Sequence, residues 1–117
     1  PRPEVYVNIP LALTLDANYA RVGEKTTMRT YGQGVGSTDV GIVTHRVPGI
    51  QGYIDITAGA SIPTHSREFA AAASSEYGYE AMLRATKALA LTAFDLFNDP
   101  GLLSEVREYF EERRRDF

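Results

Sequence analysis

The sequence predicts an α/β fold: a fragment of a mixed sheet flanked by helices, with a long buried helix and an amphipathic C-terminal helix. Three observations carry this expectation. The run Gly52 to Ala58 is rich in β-prone residues and is bounded by Gly52 and Gly59. Apolar residues recur at helical spacing on both sides of it. The stretch Tyr77 to Phe97 carries only a narrow polar stripe, the mark of a helix buried on most of its circumference.

Taken in order, Glu4 to Ile9 alternates weakly and reads as a short strand or an extended connection. Leu11, Leu15, Tyr19 and Val22 follow at helical spacing, with Gly23 where a C-terminal cap is wanted, so one helix is expected over Leu11 to Val22. Glycines at 32, 34, 36 and 41 then make a loop whose backbone can approach a ligand or turn sharply. A short helical turn is expected to start near Ser37 or Thr38, either of which can cap it, and Pro48 ends that element.

The strand over Gly52 to Ala58, with Tyr53, Ile54, Ile56 and Thr57, is expected to be a core one. It delivers the chain into the polar segment Ser61 to Ser66. Ser66 can cap a helix through Phe69 and Ala70 to Ala73, with Glu68 complementing the dipole in its first turn. Ser74 and Ser75 interrupt that helix before the long one. Asn98 to Gly101 is a turn, because Pro100 cannot continue the preceding helix. The last helix, Leu102 to about Arg115, presents Leu103, Val106 and Phe110 on one face and charges on the other. There is no internal repeat and no low-complexity segment.

With 117 residues, 44% of them hydrophobic and 23% charged, the chain has the size and composition of one globular domain. Its 12 basic against 15 acidic residues leave a formal net charge of -3, so no basic field exists to attract nucleic acid. The cluster Arg113-Arg114-Arg115 is offset by Glu111, Glu112 and Asp116 and reads as a solvated helix end. No apolar run approaches the ~20 residues of a membrane span, so no membrane partner is expected. Cysteine is absent, which rules out disulfides, fits a cytoplasmic protein and restricts any metal site to His and carboxylate ligands. The chain begins at Pro1 rather than Met, so a processed chain or a piece of a longer one is expected.

Three places carry candidate chemistry. His65 follows the expected strand and precedes a helix start, where a side chain is solvent-reachable yet held by rigid elements, as a metal ligand or acid/base requires. Its plain rival is a solvated loop histidine. The segment Gly36-Ser37-Thr38-Asp39 can cradle a carboxylate or phosphate with backbone N–H groups and hydroxyls, though it has neither the lysine of a P-loop nor the dinucleotide-binding glycine spacing. Its rival is a tight packing loop. His45, between Val43 and Val47, either lines the same cleft or caps a hydrophobic edge. No residue of the chain is assigned as the catalytic acid or base, and the chain by itself lacks the ligands of a two-metal site.

Together, Gly36 to Gly41, Val47-Pro48, the β-prone run ending at Ala58 and Thr64-His65-Ser66-Arg67-Glu68-Phe69 resemble one known pattern. It is similar to the C-terminal part of the zinc peptidase and amidohydrolase family (peptidase family M twenty). That family contains aminoacylases, glutamate carboxypeptidases and aminobenzoyl-glutamate hydrolases. Ile42 departs from the pattern, standing where close relatives often carry a polar residue. The resemblance implies that residues 1–30 end a lid or inserted region and that 31–117 form the C-terminal part of the metal-binding catalytic domain.

It implies a metal-dependent hydrolase of amide bonds, acting on N-acyl amino acids or dipeptide-like substrates and incomplete as an active site on its own. His65 would be a ligand of a dinuclear divalent centre, zinc with manganese as the alternative. Gly36, Ser37, Thr38, Asp39 and His45 would line the substrate pocket. The partners implied are the missing upstream part of the same enzyme and a small amide substrate, with a homo-oligomer as a further arrangement. The alternative from another class is a non-catalytic binding or assembly module.

Overall fold

A computed structural model describes residues 4–26 and 38–116. Five helices make up its regular structure: α1 (Ile9–Arg21), α2 (Val40–Thr44), α3 (Arg67–Ala73), α4 (Glu76–Asn98) and α5 (Pro100–Arg114). The expected mixed sheet is not found; among the described residues there is no strand, and the fold is all-helical.

The caps explain where the helices begin. Asn8 accepts from the Leu11 amide at 3.1 Å and opens α1. Ser66 does the same for α3 through Phe69, Ser75 for α4 through Gly78, and Asp99 for α5 through Leu102. Each side-chain oxygen satisfies one of the amides that a helix start leaves without an intrahelical partner. The end of α1 is a Schellman motif: Gly23 sits at φ +85, its amide bonds Ala20 O, and the Glu24 amide reaches Tyr19 O at 2.9 Å. The expected cap at Gly23 is thus present.

The core is small. Leu15 and Tyr19 of α1 meet Ala88 of α4, with Val22, Ile50, Ile54 and Ala85 packed around them. Ala81 and Ala88 are wholly buried, and their small side chains let α4 lie close to its neighbours. Val106 and Phe110 bury the inner stripe of α5, as the spacing predicts. Between the helices runs a polar seam. Asn18 donates through Nδ2 to Thr92 Oγ1 and to Asp95 Oδ2, both at 3.0 Å, while the Asn8 side-chain Nδ2 donates to the Val106 carbonyl at 2.9 Å.

Residues 50–56 explain the missing sheet. Alternation is real there: Ile50, Ile54 and Ile56 are partly buried while Gln51, Tyr53 and Asp55 are exposed. The inward side lies on α1 rather than beside another strand, and a Cβ at Gly52 would come within 2.8 Å of Leu15 Cδ2. A β-prone segment becomes a strand only when a second one supplies its ladder. The other candidate, Glu4 to Ile9, forms no strand either: the Tyr6 backbone amide bonds Thr44 Oγ1, the Asn8 backbone amide bonds Gly49 O, and Ile9 begins α1.

The long helix also differs from expectation. It spans 76–98, close to the predicted limits, but it is not buried on most of its circumference. Its buried residues are the small or polar Gly78, Ala81, Ala88 and Thr92, whereas Leu89 is 57% and Phe97 89% exposed. With α1, α3 and α5 its only helical neighbours among the described residues, one side of α4 has packing partners and the opposite side does not.

Candidate functional site

The segment from residue 57 to 66 links the extended run to α3 and carries His65. Asp55 organises its start. Its Oδ1 accepts from the Thr57 amide at 2.9 Å, its Oδ2 from the Gly59 amide at 2.8 Å, and the Thr57 hydroxyl lies 2.6 Å from Oδ1. The Thr57 side-chain bond, followed by the backbone amides, holds the Asp55 carboxyl below its ordinary value, since donors favour the charged form. The Asp-x-Thr-x-Gly pattern is an Asx-turn signal that pattern reading for strands overlooks.

At the far end, Ser66 Oγ donates to Pro63 O at 2.6 Å and accepts from the Phe69 amide at 3.1 Å. This double bond pair fixes the turn in which His65 stands. His65 is exposed and adopts φ +64, in the left-handed region that an L-residue enters at a cost of about 1–2 kcal/mol. The imidazole therefore projects from a defined turn at a helix start. No hydrogen bond or ion pair to described residues engages it.

His45 is placed differently. It forms the C-cap of α2, with its Nε2 3.0 Å from Glu4 O and its ring edge-on to Tyr6, centroids 4.4 Å apart and planes at 75°. Because a carbonyl only accepts, Nε2 carries the proton. Together with Thr44, which accepts from the Tyr6 amide, His45 ties residues 4–6 to α2. Thr38 accepts from the Val40 amide at 3.3 Å, and Asp39 takes the N-cap position of α2 without a side-chain capping bond. Gly36 and Ser37 lie outside the described residues. Thr38, Asp39 and His45 thus share the surroundings of α2, while His65 stands at the start of α3.

Among the described residues no three His, Cys, Asp or Glu side chains gather as a metal site. The donor set does not fit a complete centre: His65 could contribute one imidazole, and further ligands would have to come from elsewhere. Nor does the shallow groove of about 450 Å³ beside α4 offer one, since Val22, Ala90, Leu91 and Phe94 line it with Lys87 as the sole charged group.

A second polar cluster, unrelated to any sequence expectation, joins the segment after α1 to α4. Arg84 Nε is 2.5 Å from Glu24 Oε1, and its guanidinium lies 5.5 Å from the Tyr77 ring centroid. The Glu24 hydrogen bond pushes the Arg84 pKa up, and burial, followed by the charge of Glu24, raises that of Tyr19. These groups hold elements together.

In sequence the chain is similar to peptidases, and specifically to proteins named as dipeptidases. It is 36% identical over 112 residues, 91% of its length, to the Xaa-Arg dipeptidase of Mus musculus. It is 42% identical over 76 residues, 65% of its length, to the Xaa-Arg dipeptidase of Homo sapiens. The matched region is 26% of the mouse protein and 17% of the human one, so the chain spans about a quarter or less of these relatives. Neither relative bears the name of an aminoacylase or a carboxypeptidase. No protein-family model matches the chain, and no solved structure matches it significantly.

Proposed function

We propose that this chain is the C-terminal part of a metal-dependent hydrolase that cleaves dipeptides or closely similar amides. The observation that carries the proposal is the 36% identity to a dipeptidase over 91% of the chain. The exposed His65, held in a strained turn at the start of α3, supports a role for that side chain, because strain of this kind persists where surrounding structure enforces it. In this proposal His65 supplies one metal ligand, and the other ligands and the catalytic base come from the upstream part of the enzyme.

A divalent ion, zinc or manganese, would supply Lewis-acid polarisation of the scissile carbonyl and a water of lowered pKa. The part of this chain is to hold the imidazole in place. Ser66 does so by tying Pro63 to Phe69, and Asp55 does so by closing the preceding turn. Gly36, Ser37, Thr38 and Asp39 belong to the proposal as substrate contacts. His45 joins them only through its neighbourhood to α2, since its Nε2 is engaged by the Glu4 carbonyl. A cytoplasmic setting is part of the same proposal and rests on the absence of cysteine.

A chimera tests it: this chain replaces the matched region of the mouse Xaa-Arg dipeptidase, and dipeptide hydrolysis and metal content are measured. The expected result is a folded, active chimera in which His65→Ala loses metal and falls in rate by more than the roughly 10–100-fold that loss of an outer-shell partner of a metal ligand costs. A folded chimera without hydrolysis would reject the hydrolase assignment. Full metal content and activity after His65→Ala would reject the ligand while leaving the enzyme class standing.

A further inference from the structure

We draw no further inference here: the strongest candidate, the uncharged outer face of α4 around Met82, Leu89 and Phe97 with the shallow groove beside it, carries none because nothing in the structure shows what covers it.

Discussion

Two residues at tight or strained positions separate backbone needs from chemical ones. Gly78 lies in the first turn of α4, where an added Cβ would strike the carbonyl oxygen of Ala72. Gly78→Ala is expected to lower stability by about 1–3 kcal/mol despite the better helix propensity of alanine, because overpacking outweighs it. Chemical denaturation of the isolated chain measures this; a stabilised variant would mean that the α3–α4 junction opens freely. His65 gives the opposite case. His65→Gly should retain or raise stability by up to about 1 kcal/mol, since glycine enters φ +64 without the penalty an L-residue meets. If His65→Gly instead destabilised the chain strongly, the imidazole would be a structural group and its proposed role as a ligand would weaken.

Asp55 adds a pH dependence at the same scale. Its folded pKa is depressed, so its contribution to the turn is fully present above the ordinary carboxylate value and is lost as pH falls through the lower folded value. The Gly59 amide, bonded to Asp55 Oδ2, should therefore lose protection, its exchange approaching the intrinsic rate, as pH drops below the usual aspartate range. In Asp55→Asn that acid-linked loss of protection should disappear. Persistence in the variant would point to another carboxyl group.

Among the elements, the helices owe their limits to short-range chemistry, and a few polar bonds join them beside the small apolar core. Asp99 caps α5 with a 3.0 Å bond to Leu102, and Asp99→Ala should cost about 1 kcal/mol, read as a lower thermal midpoint. The seam between α1 and α4 is costlier to break. Asn18 is only 2% exposed, and Thr92→Val would take away one of the acceptors of its Nδ2 while preserving side-chain shape. A loss of about 1–3 kcal/mol is expected, the cost of leaving a buried donor unsatisfied. A neutral result by urea denaturation would show that the Asp95 carboxylate alone satisfies Asn18 Nδ2.

For the molecule as a whole, the outer side of α4 has a direct consequence. Leu89 is 57% exposed, so Leu89→Lys should change the stability of the 117-residue chain by no more than about 0.5 kcal/mol. A large loss of stability would place Leu89 in a core that the described residues do not contain.

Much of the secondary structure is legible in the amino-acid order, because caps and breakers act over three or four residues. Ser66, Ser75, Asp99, Pro100 and Gly23 each mark a boundary within reach of their own backbone. The candidate site is legible only in part. His65 can be picked out by its place before a capped helix, and its φ of +64 is a tertiary property with no local signature. His45 and Asp39 fall near one another because a short helix joins them, yet the carbonyl of Glu4, forty-one positions away from His45 in the chain, decides which imidazole nitrogen is engaged.

What local order leaves open is which surface each element meets. The β-prone run Gly52 to Ala58 predicts a core strand, whereas it forms no strand and only its Ile54, Ile56 and Thr57 are partly buried. Whether its inward side faces a strand or a helix depends on what other segments offer, and here Leu15 and Tyr19 of α1 occupy it. The apolar richness of α4 likewise specifies a surface that can be buried, not one that is. Burial is a pairwise property: Ala81 and Ala88 are wholly covered, and Leu89 and Phe97 on the same helix stay largely exposed among the described residues. Helix limits thus follow from bonds within a turn, whereas the all-helical fold follows from contacts between residues far apart in the chain, which only the folded arrangement settles.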